Sequence, residues 1–196
     1  MKGIIATITP HNFSIPFVTA KSLINTVAYA KELYGYENVS FAHVSGPLVE
    51  ENRNNIFNLA KNKDWLLMVD SDMVFEPYLL PKLIKIMKDK NAGLVCGMFK
   101  EGHPPHNYPI YTSLDGLNRI NKEDDGVVKI EGCGAAYILI SGDVLKSLDN
   151  PFKRIEKDGK KFGEDLSFCM TLKENNFTMF CDTSASVGHV RMEVVV

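Results

Sequence analysis

Trp65-Leu66-Leu67-Met68-Val69-Asp70-Ser71-Asp72 decides the reading: five apolar residues run straight into two carboxylates separated by one serine. So short an apolar run, stopped by polar residues, reads as a buried strand rather than a helix. A central strand delivers Asp70 and Asp72 to the carboxyl edge of its sheet. Hard oxygen ligands placed there hold a divalent cation that also bridges phosphate oxygens. Taken without its strand, an Asp-x-Asp reads equally well as a solvated turn capping the next segment. The strand is what favours the ligand site.

Upstream of that stretch the hydrophobic period switches repeatedly. Gly3 to Thr9 is a β-branched strand ended by Pro10, and Phe17 to Leu33 repeats Ala20, Leu23, Ile24, Val27, Ala28 and Ala30 at helical spacing before Gly35 stops it. A strand over Val39 to Val44 and a helix over Val49 to Ala60, carrying Ile56 and Leu59, complete a β-α-β-α-β order. That order implies parallel strands whose ligands gather at their carboxyl ends. Downstream, a helix over Tyr78 to Lys90 and a strand over Gly93 to Phe99 continue the series. After Lys100 the rhythm breaks. Short strands at Pro109 to Leu114 and Val127 to Ile130, and the apolar run Ala135 to Ile140, read as a mixed-sheet attachment. A helix at Asp143 to Leu148, a loop through Gly159, a helix over Glu164 to Glu174 and a strand near Thr178 to Phe180 follow.

With 196 residues, 45% of them hydrophobic and 23% charged, the chain is sized for one domain with a substantial core, which excludes a wholly disordered polypeptide. Twenty-two Lys and Arg against 24 Asp and Glu leave a net charge of −2, so there is no global positive field to hold a polyanion, and nucleic acid is not an expected partner. No apolar stretch approaches the roughly 20 residues that span a bilayer, and the N-terminus lacks a signal-peptide layout. No membrane span is therefore expected, and the expected compartment is the cytoplasm. Cys96, Cys133, Cys169 and Cys181 form no CxxC pair and read as free thiols.

Five more segments bear on chemistry. Arg53-Asn54 sits on the helix before the Asp-x-Asp strand, where an arginine either forks onto phosphate or lies exposed. Glu131-Gly132-Cys133-Gly134-Ala135-Ala136 lacks bulky side chains, which suits a substrate's approach to the backbone or, equally, a tight turn. Phe162-Gly163-Glu164-Asp165-Leu166 opens a helix, so Glu164 and Asp165 read as dipole-favoured capping residues unless other features give them work. Gly188-His189-Val190 places a histidine late in the chain, and imidazole beside a carboxylate suits Mn2+. His103-Pro104-Pro105-His106, with prolines between its histidines, reads as a substrate-shaping loop rather than a second metal site.

In their order and spacing these segments resemble the GT-A glycosyltransferases, particularly the family 2-like enzymes, over nearly the whole chain. The resemblance implies a single α/β domain spanning 1–196, a Rossmann-like αβα sandwich around a mostly parallel mixed sheet. Residues 1–100 would form the nucleotide-sugar-binding half and 101–196 the acceptor-side half. It implies a metal-dependent transfer of a sugar from a nucleotide-diphosphate sugar, most often a UDP- or GDP-sugar, to a hydroxyl of an unidentified glycan, protein or small molecule. By the same resemblance Thr9, Pro10, His11, Arg53, Asn54, Asp70, Ser71 and Asp72 contact the donor. Asp72 and His189, with Asp70, hold Mn2+ or Mg2+; Gly132, Cys133, Gly134 and Ala135 line the acceptor side; and Asp165, with Glu164, supplies the catalytic carboxylate. Thr9-Pro10-His11 fits the family's first loop only in part. Two other readings stay open: a nucleotidyltransferase acting on sugar phosphates, against which the absence of glycine in Thr9 to Pro16 counts, and a non-catalytic nucleotide-sugar or carbohydrate binding domain.

Overall fold

Side chains alternate between the two faces of a strand, and the order of residues along this chain sorts its core accordingly. The computed structural model describes residues 1–10, 14–121, 126–157 and 159–191. The first half runs β1 (Gly3–Pro10), α1 (Phe17–Tyr34), β2 (Val39–Gly46), α2 (Val49–Leu59), β3 (Trp65–Asp70), β4 (Met73–Val74), α3 (Leu79–Lys90) and β5 (Leu94–Met98). The second runs β6 (Ile110–Ser113), β7 (Asn118–Arg119), β8 (Val127–Ile130), β9 (Gly132–Cys133), β10 (Tyr137–Ser141), α4 (Gly142–Ser147), β11 (Ile155–Lys157), β12 (Lys160–Phe162), α5 (Glu164–Glu174), β13 (Met179–Ser186) and β14 (Gly188–His189).

Among the described residues the main sheet has the order β2-β1-β3-β10-β5-β13-β8. Strands β2, β1, β3, β5 and β13 are parallel, while β10 and β8 run against them. One face buries Ile4, Ala6, Ile8, Leu66, Met68, Ile138 and Ile140 under α2, α4 and α5. The other buries Ile5, Trp65, Leu67, Val69, Tyr137 and Leu139 under α1 and α3. The result is an αβα sandwich, a mixed, mostly parallel α/β fold. Helix α1 buries Thr19, Ser22, Leu23, Thr26 and Ala30 at helical spacing, so the buried face is shifted from the apolar repeat read in the sequence and leaves Ile24 67% exposed; Gly35 at φ 95° ends the helix. Gly3 has a steric duty: a Cβ there would fall 1.9 Å from the Trp65 indole.

The structure departs from the sequence reading in the second half. The Ala135 to Ile140 run is no attachment; as β10 it enters the centre of the sheet between β3 and β5. Tyr137 to Ile140 are buried on both faces, which only a central position satisfies, and the chain reaches them at the carboxyl edge, which forces the antiparallel direction. Part of the loop expected around Gly159 forms the β11–β12 hairpin. The strand near Thr178 to Phe180 continues to Ser186: the register shifts after Asp182 pairs with Gly97, and Ser186 pairs again with Met98 at the end of β5. No helix among the described residues is long and apolar enough to cross a membrane. All four cysteines are free and buried.

Candidate functional site

Helix α2 turns Arg53 inward on the face that also buries Asn52, Ile56 and Phe57, leaving it 4% exposed. Its guanidinium meets the carboxyl edge of the sheet from below. Nη2 lies 2.9 Å from Asp70 Oδ1, Nε donates to Glu164 Oε1 at 3.3 Å, and Nη1 donates to the Ala135 carbonyl at 3.0 Å. One planar fork thus joins the end of β3, the entry to β10 and the start of α5. Asp70 is further fixed by its own N–H, which donates to the Ala136 carbonyl at 2.9 Å. Burial alone would lower the Arg53 pKa, but the Asp70, Glu164 and Asp165 carboxylates raise it above the ordinary value. Burial lifts the Asp70 carboxyl above the usual carboxylate range; Arg53 opposes the shift and Asp72 adds to it.

Asp72 belongs to a second cluster. After Asp70 the chain turns through the half-buried Ser71 into β4, which pairs with β14 so that His189 stands opposite Met73. The irregularity in β13 makes this possible. Asp182 Oδ1 accepts from the Ser184 amide at 3.1 Å, Lys82 pairs with Asp182 Oδ2 at 2.7 Å, and the bent strand is aimed across the sheet edge toward β4. The Val190 amide then donates to the Asp72 carbonyl at 2.7 Å, closing the clip.

His189 Nε2 lies 2.9 Å from Asp72 Oδ2, and its Nδ1 lies 3.1 Å from the Lys100 carbonyl. A carbonyl can only accept, so Nδ1 carries the proton. In the neutral ring the Nε2 lone pair then faces a carboxylate. Either a proton or a cation must lie between them, and the hydrogen bond with Asp72 raises the His189 pKa, against burial and with the Lys100 carbonyl. The arrangement would also suit a metal-ligating histidine, whose other ring nitrogen is commonly fixed by a carbonyl. The pair fits a divalent cation that takes nitrogen and oxygen ligands together, Mn2+ more readily than Mg2+. Among the described residues no group of three His, Cys, Asp or Glu side chains forms such a site. The pair would therefore need substrate or water oxygens to complete the shell.

Asp165 occupies the first turn of α5, half-buried, with Oδ1 accepting from the Leu166 amide at 2.7 Å. Burial and then Glu164 raise its carboxyl above the usual range, with Leu166 and Arg53 opposing. The Gly132 to Ala135 segment packs alongside: a Cβ on Gly132 would lie 2.8 Å from Leu114 Cδ2 and 3.2 Å from Leu166 Cδ2. The Cys133 thiol is not presented outward. It is buried, and its amide donates to Cys169 Sγ at 3.4 Å.

The remaining candidates are placed as follows. Asn54 exchanges two hydrogen bonds with the Phe152 backbone, at 2.8 and 3.0 Å, which ties α2 to the second half of the chain. Thr9 is buried at the end of β1 and shares a 2.8 Å hydrogen bond with His43 Nε2, while Pro10 is exposed; His11 lies outside the described residues. His106 Nδ1 donates to the Glu101 carbonyl at 3.0 Å and so helps shape the loop after β5. Sequence reasoning missed His43, whose position near the carboxyl end of a strand was the one available signal. It also missed the Lys100 carbonyl, which no side-chain pattern reports.

This mostly parallel αβα sheet, with the antiparallel β10 inserted at its centre, has the architecture of the GT-A fold. The chain belongs to glycosyl transferase family 2, whose sequence profile matches residues 3–138. No curated protein matches the sequence significantly. Two solved structures show the shared fold. A197 from STIV superposes with a TM-score of 0.68 at 18% identity, covering 98% of this chain and 87% of that one. GalNAc-T7, solved with UDP, GalNAc and Mn2+, gives 0.63 at 10% identity, covering 98% of this chain and 44% of that one.

Proposed function

We propose that this domain transfers a sugar from a nucleotide-diphosphate sugar to an acceptor hydroxyl, with a divalent cation held by Asp72 and His189. The observation that carries the reading is the carbonyl-fixed His189 facing Asp72. The GalNAc-T7 structure with UDP and Mn2+ supports it by fold. When bound, the cation offsets charge developing on the departing diphosphate. Asp70, held by Arg53, faces the same edge and would orient the donor's ribose or sugar, and Thr9 with His43 marks the end where the base would lie.

Asp165 takes the acceptor's proton. As the acceptor oxygen bonds to the anomeric carbon, the bond from that carbon to the diphosphate oxygen breaks, its electron pair leaves with the diphosphate, and the proton passes to the Asp165 carboxylate. A carboxyl raised by burial is a better base than an exposed one. Such a displacement inverts the anomeric centre.

The test is thermal stabilisation by UDP-, GDP-, TDP- and CMP-sugars with and without Mn2+. A ligand present at about a hundred times its Kd adds about 2.7 kcal/mol to the native state. For a chain of this size that is about 5–10 °C in Tm. A hit that requires Mn2+, followed by hydrolysis or transfer of the same donor, is the expected result. Stabilisation by none of the donors sinks the reading, and stabilisation without turnover reduces it to a binding domain.

A further inference from the structure

Beyond His189 a cavity of about 580 Å3 opens at the carboxyl ends of β5 and β13. These strands lie across β3 and β10 from β1 and β2, so the cavity is on the other side of the Asp72–His189 pair from Thr9 and His43. Its volume falls in the range that holds small ligands. Phe99 forms part of its wall and also packs at the Gly134 backbone, where a Cβ would lie 3.3 Å from the ring, so the cavity adjoins the Gly132 to Ala135 segment.

Among the described residues lining it, the charges left without an ion-pair partner are positive. Lys100 and Arg191 line the cavity, and among the described residues neither has a carboxylate within ion-pair distance. Glu101, the carboxylate in its lining, is held 3.0 Å from Arg119. The Lys100 ammonium stands 5.7 Å from the centroid of the Tyr108 ring, which gives a flat aromatic wall beneath a cation. Ser186 adds a hydroxyl. In a chain of net charge −2 this positive patch is local, and concave walls focus its field. A planar guanidinium and an ammonium lining the same cavity each suit the oxygens of a phosphate or carboxylate.

We propose that this cavity receives the acceptor, and that the acceptor is a sugar or alcohol carrying a phosphate or carboxylate group bound by Lys100 and Arg191. The word acceptor rests on the glycosyl-transfer reading above, whereas the anion preference stands on the cavity's own charges. Tyr108 would cover one face of the bound ring, and His189 would form the wall toward the donor.

The experiment uses the full chain without any nucleotide. Binding of glucose 6-phosphate, glucuronate, glucose and inorganic phosphate is measured by calorimetry for the parent, Lys100→Met, Arg191→Met and the double variant. Glucose 6-phosphate or glucuronate should bind, weaken with added salt, and weaken tenfold or more in the double variant, while glucose binds far more weakly. The stronger of the two anions identifies phosphate or carboxylate as the recognised group, and phosphate binding as tightly as either sugar would overturn the sugar-or-alcohol part. Equal binding of glucose, no binding by either anionic sugar, or affinity unchanged in the double variant would each overturn the proposal. Mn2+ affinity of the same variants, expected to match the parent, shows whether His189 has kept its place; binding lost only together with Mn2+ affinity would count against a direct role for the two cations. Because no nucleotide is present, failure of the donor screen and failure of this experiment are separate results.

Discussion

Replacing Arg53 with methionine removes the cation that holds three parts of the site. The methionine fills much of the same space but leaves Asp70, Glu164 and the Ala135 carbonyl without the donors that now reach them at 2.9, 3.3 and 3.0 Å. Breaking a buried ion pair from one side costs about 3–5 kcal/mol. Here the Glu164 side chain is 13% exposed and the Asp70 side chain 27% exposed, so water recovers part of the loss and the lower end, about 3 kcal/mol, is expected. For a chain of this length that corresponds to about 6–12 °C in Tm. The deficit should also depend on pH in a definite direction. Asp70 is already raised by burial, and without Arg53 it rises further. A carboxyl whose native pKa exceeds its unfolded value binds more protons in the native state through that window, so stability falls as pH rises through it and recovers as pH falls. The gap between parent and variant should therefore narrow between about pH 7.5 and about pH 5. Urea and thermal melts at both values check this, with Arg53→Lys as the charge-keeping control. A loss below about 1 kcal/mol, or a gap indifferent to pH, would refute the idea that buried carboxylates depend on this guanidinium.

Gly163→Ala should fold, since Gly163 is exposed at φ −66° and ψ 169°, a conformation open to alanine, yet its Cβ would sit 2.9 Å from Asp165 Oδ1 against ordinary contact at 3.4 Å. Asp165 must give way by about 0.5 Å, and turnover should fall by about tenfold with Tm nearly unchanged; parental turnover would place Asp165 outside the chemistry. Asp165→Asn should lower transfer by about 10²- to 10⁴-fold while sparing donor affinity. In the parent, the rate should decline as pH drops through a pKa above the ordinary carboxylate range, since burial and Glu164 favour the protonated form; an acid limb surviving in Asp165→Asn assigns that limb to another group. His189→Ala and Asp72→Asn should instead weaken Mn2+ binding by calorimetry, with excess Mn2+ partly restoring turnover, and unchanged Mn2+ affinity in both variants would move the cation elsewhere.

The alternation of strand and helix over the first hundred residues was legible because periodicity is local. Ala20, Leu23 and Val27 repeat along one helix, and the Trp65 to Val69 run names a strand wherever it lies in space. The Asp-x-Asp, Gly-Glu-Asp and Gly-His segments were legible as chemistry for the same reason, each being a few contiguous residues. What the sequence could not order was the pairing of distant segments. Nothing in Ala135 to Ile140 states that it enters between β3 and β5 in the opposite direction; that follows from which sheet position buries both its faces. Arg53 read as a phosphate fork or an exposed helix arginine, and burial against residues 70, 135 and 164 turned its donors onto the protein. Asp72 and His189 are 117 positions apart, and they meet because the departure from regular pairing after Asp182 redirects β13 toward β4. Local sequence therefore determined which side chains were available for chemistry, while long-range packing, in which every strand competes for a place in one sheet, decided which of them met.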